Sequence, residues 1–213
     1  MTILSLDTSC GTASTALFRD GVCQEERFAD TRRRHVETIL PLMEEVLAAY
    51  GVTLAEIDLF AVNVGPGSFT GVRIGVSAVN AMAAALGKRI VPVDSLRVLA
   101  QQSLNTQGKR ILAMVDAGNG NAYAAQYENG RTTVPPEAVV ISDVLAAQPH
   151  GIEIIGDVCA CDEDRRYPTA KWVGEAAYAL QSTAVDAVVP VYLRPSQAER
   201  MWKQRQEAGK LGL

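Results

Sequence analysis

The sequence predicts an α/β chain of two lobes, each holding a mixed sheet with crossover helices. Three observations lead there. The chain opens with three strand-like runs joined by tight turns, helices and strands then alternate, and the second half begins like the first, with a strand, a glycine-containing turn and a strand. With 213 residues, 48% of them hydrophobic, the chain has enough apolar mass for ordinary globular cores.

Residues 3–6, 12–18 and 22–28 read as strands, and Asp20-Gly21 supplies hairpin turn chemistry between the second and third, so the chain starts as an antiparallel meander. After the basic run Arg32, Arg33 and Arg34, the residues Val36, Leu40, Met43, Leu47 and Tyr50 recur at alternating spacings of four and three, the period of a helix. Pro41 falls inside that pattern. It lacks an amide proton and crowds the carbonyl of Glu37, which predicts a kink or a non-helical first turn. Gly51 ends the helix. Thr53 and Glu56 have capping-box spacing for a short helical turn, and residues 59–64 form a continuous apolar run suited to an interior strand. A long helix over 68–86 stopped by Gly87, a strand over 90–93 and a helix capped by Ser95 and running to about 102 complete the first half. The polar stretch 105–109 is the expected lobe boundary. Beyond it, strands are expected at 111–115 and 123–127 around the Gly118-Asn119-Gly120 turn, at 152–155 and at 188–193, with a helix over 173–181 and a charged helix from Ser196. The expected division is 1–103 for the first lobe and 104–193 for a smaller second lobe, with the tail 194–213 packing back on the first.

The most informative stretch is 63–87. Gly65, Pro66 and Gly67 make a tight turn, and Ser68 or Thr70 can cap the helix that follows. Along that helix, positions 71, 75, 78 and 85 are Gly, Gly, Ala and Ala, while positions 72, 76, 79 and 86 are Val, Val, Val and Leu. One stripe invites close backbone approach and the neighbouring stripe fills a core. A helix apolar on two faces is central to a large domain or lies at a subunit seam, and in a chain of this size the seam is the expectation.

Composition narrows the function classes. A net charge of −4 and a pI near 5.3 argue against gripping nucleic acid through the overall field, leaving local contacts or a partner. Cys10, Cys23, Cys159 and Cys161 include no C-x-x-C pair, and with only His35 and His150 no zinc site of standard spacing can be assembled. Buried thiols are expected instead. The chain enters a strand without a basic leader, and no apolar run is expected to span a lipid bilayer, so a cytoplasmic soluble protein is expected.

Four places could carry chemistry. Asp7, followed by Thr8, Ser9 and Gly11, has the placement of a residue beneath a nucleotide phosphate or its magnesium, and Asp116 stands similarly before Gly118 and Gly120. Two acids at strand-to-turn junctions of two lobes resemble the actin-like ATPase plan, although short turns also carry Asp for geometry alone. Gly67 and Ser68 at a helix start suit a weak or vestigial anion site as well as they suit a plain N-cap. His35, beside the arginines at a helix start, can be a general base or metal ligand, or a capping or interface residue. The tail holds Arg194, Arg200, Lys203, Arg205 and Lys210 against Glu199 and Glu207, either a solvated basic face or an RNA contact. No Ser-His-Asp, Cys-His or paired-carboxylate arrangement emerges from the spacing.

The segments DTS from Asp7, RRHVETILPLMEEVL from Arg33, NVGPGSFTGVRIG from Asn63, VDAGNGNAYAAQY from Val115 and PVYLRPSQAE from Pro190, in that order, resemble the TsaB (YeaZ) family over nearly the whole length. The resemblance implies a two-lobed fold of the actin, hexokinase and Hsp70 superfamily with a reduced second lobe. It implies a non-catalytic partner of TsaD, acting with the ATPase TsaE to place N6-threonylcarbamoyl on the adenosine 3′ of the anticodon in tRNAs reading ANN codons. TsaC-type enzymes supply the threonylcarbamoyl-AMP. The catalytic relative carries a metal-binding His-x-x-x-His where this chain has Ser95 and Leu99, neither able to replace an imidazole. No tightly bound cofactor is therefore expected, with ATP or ADP only at a complex interface. Gly118, Asn119 and Gly120 depart from the family's charged residues, and Val158 from its Gly-Asp-Gly. Members join TsaD through a bundle of the two long first-lobe helices, self-associating when alone, and touch tRNA only through the complex. The seam is assigned to His35, Val36, Ile39, Leu40 and Met43 with Val72, Gly75, Val76 and Val79. Two other readings remain, an ATP-dependent small-molecule kinase of the same superfamily and a peptidase.

Overall fold

A computed structural model describes residues 1–30, 35–103, 108–148, 151–158 and 167–194, together with 202 and 206. The first sheet has the order β3-β2-β1-β4-β5, from β1 (Thr2–Asp7), β2 (Thr12–Arg19), β3 (Val22–Asp30), β4 (Leu59–Asn63) and β5 (Arg89–Val93). The opening meander is antiparallel, with Thr2 opposite Arg19 and Asp7 opposite Ser14, and the two crossover strands run parallel to β1. The second sheet, from β6 (Arg110–Gly118), β7 (Asn121–Glu128), β8 (Arg131–Val140) and β9 (Glu153–Gly156), has the order β8-β7-β6-β9. This repeats the first four strands of the first sheet, meander and parallel crossover included. The echo in the sequence is thus a repeated topology, and among the described residues the second sheet has one strand fewer than the first.

Alternation along the strands assigns the faces. Leu4, Leu6, Phe60 and Val62 point to one side, where α1 (His35–Ala49) and α2 (Phe69–Leu86) cover them with Ile39, Met43, Val46, Val72, Val76 and Val79. Ile3, Ala16, Leu59 and Ala61 point to the other, beneath α5 (Ala170–Ala179) through Val173, Ala176 and Ala177. With helices on both faces, β4 is buried along its whole length, which is why its sequence shows no polar alternation. Buried Ser5 is satisfied there by donating to Ala16 O at 3.1 Å and Ala170 O at 2.7 Å. Gly174 lets α5 lie flat on the sheet, since a Cβ there would stand 2.1 Å from the Phe18 ring.

The division into lobes differs from the one expected at 103. α3 (Ser95–Gln101) packs Leu96, Leu99 and Ala100 into the core of the second sheet with Ile111, Ala113, Tyr127 and Ile155. Conversely, α5 and the segment after it belong to the first lobe. The chain returns early because the first sheet needs a cover for its second face. Residues 188–193, expected as a strand, form a strap instead: Asn80 Nδ2 donates to Val188 O at 2.8 Å, Asn80 Oδ1 accepts from the Val188 amide at 2.9 Å, and the Val191 amide donates to Val64 O at 2.7 Å. The only sheet-like contact of this return among the described residues is the bridge between Val185 and Ile90.

Other local expectations were met or shifted. α1 runs through Pro41, which lies on its exposed face. The Thr53 amide and hydroxyl both donate to the Glu56 carboxylate, at 2.8 and 2.7 Å, around a 3-10 turn at Leu54–Glu56. The cap of α3 is Asp94, not Ser95: its carboxylate accepts from the Arg97 amide at 2.9 Å. β8 and the short α4 (Ile141–Ala147) were not anticipated. Pro135 and Pro136 argue against a strand, yet β8 is an edge strand whose pairing jumps from Gln126↔Val134 to Ala124↔Glu137, so neither proline is asked for a ladder bond. The arginines at 32–34, Cys159, Cys161, His150 and the expected tail helix, save Trp202 and Gln206, lie outside the described residues.

Candidate functional site

Two features carry the functional expectations, a cleft between the lobes and an apolar face on the first. The cleft, about 350 Å³, is walled by Ser9, Cys10, Gly11, Gly67 and Ser68 from the first lobe and by Val115, Asp116 and Asp157 from the second, with Tyr167 and Pro168 at its edge. The folding of β1 and β6 onto equivalent positions thus brings the Asp7 loop opposite Asp116, as the sequence suggested. Asp7 itself does not enter the cleft. It is 1% exposed, and its carboxylate accepts from the Ser9 amide at 2.9 Å, from the Ser9 hydroxyl and from Asn63 Nδ2. Asn63 Oδ1 in turn accepts from the Gly65 amide at 2.9 Å and the Ser95 hydroxyl at 2.8 Å. This buried network joins the ends of β1 and β4 to the start of α3, a structural use of an acid placed where a phosphate-binding acid was weighed.

The start of α2 is also committed to the fold. Ser68 donates its amide to Ser9 O at 2.7 Å, and its hydroxyl accepts from the Gly71 amide at 3.3 Å, which is the N-cap arrangement. Gly67 and Ser68 still line the cleft, with the Ser68 amide committed to Ser9 O and its hydroxyl oxygen to the helix cap. Across the gap, Asp116 is exposed; its amide donates to Asp157 Oδ1 at 2.7 Å and its carboxylate accepts from Gly118. Desolvation raises the pKa of Asp157, the Asp116 charge adding to the rise against that amide bond. Burial and the neighbouring Asp7 charge push the Cys10 thiol up to about 11, so it stands protonated at neutral pH and is no nucleophile. The second-lobe wall of the cleft is thus acidic, with Asp116 and Asp157 side by side.

The second feature corrects the seam. Val72, Val76 and Val79, at 0–3% exposed, lie in the first-lobe core with Ile39 and Met43, and Gly75 is buried beside Thr8. The glycine stripe admits the chain's own β1–β2 turn, not a second protein: a Cβ on Gly71 would stand 2.1 Å from Thr8 O, and one on Gly75 2.3 Å from Thr8 Oγ1. The valine positions and the two glycines are therefore consumed internally, while Ala78 is half-buried and Ala85 exposed. Of the assigned seam residues, Val36 and Leu40 remain on the surface, 66% and 53% exposed. His35 opens α1, and its side chain lies outside the described set. What the sequence reading missed is that Ile74, Ala81 and Met82, outside both stripes, join Ala78 and Ala85 of the small-residue stripe and Val36, Ile39 and Leu40 of α1 around an open groove of about 620 Å³. The signal was present as small and apolar residues without a polar face. α2 is also, against expectation, long and apolar enough by length and composition to cross a membrane, at 18 residues and mean hydropathy 1.4; here it packs one side into the sheet.

Comparison with known proteins draws on this same framework. A family model described as TsaD: tRNA N6-adenosine threonylcarbamoyltransferase matches residues 29–194. The chain belongs to that family, as a TsaB (YeaZ) member. It is 37% identical to the tRNA threonylcarbamoyladenosine biosynthesis protein TsaB of Escherichia coli over 61% of this chain, and 28% identical to the Bacillus subtilis protein of that name over 97% of it. The matches span 58% of the E. coli protein and 53% of its Haemophilus influenzae counterpart, but all of the B. subtilis one. YeaZ from Pseudomonas aeruginosa superposes with a TM-score of 0.75 at 27% identity, covering 90% of this chain and 99% of that one. In this TsaB-family chain Ser95 and Leu99 are both fully buried, Ser95 bonded to Asn63 and Leu99 in the second-lobe core. Among the described residues no group of three or more His, Cys, Asp or Glu side chains could hold a metal ion.

Proposed function

We propose that this chain is a non-catalytic subunit in the formation of N6-threonylcarbamoyladenosine in tRNA, docking on a TsaD-type transferase through its first-lobe helices and working with a TsaE-type ATPase. The pathway rests on the names of its relatives. The role within it rests on one observation, the uncovered apolar groove of α1 and α2, whose occupant removes Val36, Leu40, Ile74 and Met82 from water. Without its partner the chain uses the same groove to self-associate. It reaches tRNA through the complex, in the cytoplasm, and nucleotide binds only at a surface completed by another subunit. The inward-turned Asp7 favours this over the kinase reading, which needs that carboxylate near a metal-phosphate.

Reconstitution tests the proposal. With TsaC, TsaD and TsaE proteins of the same organism, omission of this chain is expected to abolish modified tRNA, and undiminished product would refute the role. Calorimetry with magnesium-ATP on the purified chain separates the kinase: micromolar binding by the chain alone favours it.

A further inference from the structure

At one end of the groove stands Arg73, a side chain the fold holds in a single orientation. Its guanidinium carbon lies 3.8 Å from the centre of the Phe69 ring, one helical turn earlier, and 5.4 Å from that of Tyr192. Its Nε donates to the Tyr192 hydroxyl at 2.6 Å, and the two rings sit 5.1 Å apart. Tyr192 comes from the strap, fixed immediately upstream by the Val191 amide on Val64 O and by Asn80 on Val188. Phe69 and Tyr192 are 40% and 44% exposed, so this is a surface cluster. The two terminal nitrogens of Arg73 enter no hydrogen bond or ion pair among the described residues.

Resting on the partner reading above, we propose that Arg73 is the recognition residue of the groove, receiving a carboxylate from an apolar-striped helix of the TsaD-type partner. A guanidinium fork with both outer nitrogens available suits a planar two-oxygen acceptor, and one already clamped between rings has less rotamer freedom to lose on binding. A phosphate offers similar oxygens, but Arg73 shares the groove with Val36, Leu40, Ile74 and Met82, which a helix with an apolar stripe covers and a sugar-phosphate chain does not. The net charge of −4 also weighs against RNA on this face. Arginine and tyrosine are among the residue types enriched where a few side chains carry most of the binding energy.

The test is the affinity of the full chain for the TsaD protein of the same organism, by calorimetry at low and moderate salt. Arg73→Met is expected to weaken binding by about 10- to 100-fold and to flatten its salt dependence. Arg73→Lys should recover only part of the loss, since a point charge cannot form the fork, and Tyr192→Phe should fall between wild type and Arg73→Met. Unchanged affinity of folded Arg73→Met overturns the inference and leaves the partnership standing, whereas wild-type protein that does not bind TsaD overturns the partnership itself. A defect confined to binding an anticodon stem-loop RNA, with partner affinity intact, also overturns it. Should Arg73→Met not fold, Arg73→Lys and Tyr192→Phe decide by the same criterion.

Discussion

The contact between α2 and the β1–β2 turn makes a quantitative forecast about two glycines four residues apart. An alanine at Gly75 places its Cβ 2.3 Å from Thr8 Oγ1, a side-chain atom that can rotate away at the cost of its 2.8 Å bond to Gly71 O. An alanine at Gly71 meets Thr8 O at 2.1 Å, a backbone atom in the turn that leads from Asp7 to Ser9 and cannot rotate away. Overpacking costs about 1–3 kcal/mol and a lost hydrogen bond about 1, against a gain of about 1 from replacing helical glycine by alanine. With overpacking near its low end where Oγ1 can rotate away and near its high end where the backbone cannot, the net destabilisation is ~1 kcal/mol for Gly75→Ala and ~2 kcal/mol for Gly71→Ala. Urea unfolding at constant m-value reads both. Thr8→Ala supplies the discriminating control: it removes the clashing Oγ1, so it should offset much of the Gly75→Ala loss and none of the Gly71→Ala loss. Equal stabilities, a reversed order, or strict additivity of Thr8→Ala with Gly75→Ala would show that the stripe does not pack on the turn as described. Gly75→Leu, which a seam at this glycine would make an interface mutation, should instead disrupt the first lobe.

Surface and core residues of α1 should separate cleanly. Leu40→Glu is expected to leave the unfolding midpoint within about 0.5 kcal/mol of wild type while abolishing association seen by sedimentation, whereas Met43→Ala should cost about 2–5 kcal/mol. Glu26 accepts from the Lys171 amide at the start of α5, and desolvation raises its pKa above the ordinary 4.5. The unfolded chain then loses this proton first, so the contribution is fully present below 4.5 and is lost as pH rises through the folded-state pKa. Glu26→Gln should flatten the pH dependence of stability just above 4.5, and an unaltered profile in chemical denaturation would contradict the assignment. For Cys10, a pKa of about 11 leaves about one thiolate in a thousand at pH 8, so site-resolved alkylation should be far slower than for a free thiol and accelerate toward pH 11.

Features that depend on neighbours along the chain were legible in the residues alone. The meander and its Asp20-Gly21 turn, the 3.6-residue period of α1, the Thr53–Glu56 cap and the Ser68 start of α2 are local patterns, and the structure has each of them. Asp7 and Asp116 were likewise marked as residues at equivalent strand ends. Which face of α2 meets solvent was a matter for tertiary packing, because Val, Gly and Ala stripes are all apolar and periodicity cannot rank them; the answer came from Thr8, which lies 63 residues before its partner Gly71. The same holds for Asp7, whose role turned on Asn63 reaching its carboxylate, and for Arg73, whose orientation depends on Tyr192, 119 residues away. Hydrophobic burial is proportional to area and indifferent to direction, so composition tells how much surface a helix must hide, while the partners that hide it are chosen by contacts between segments distant in the chain.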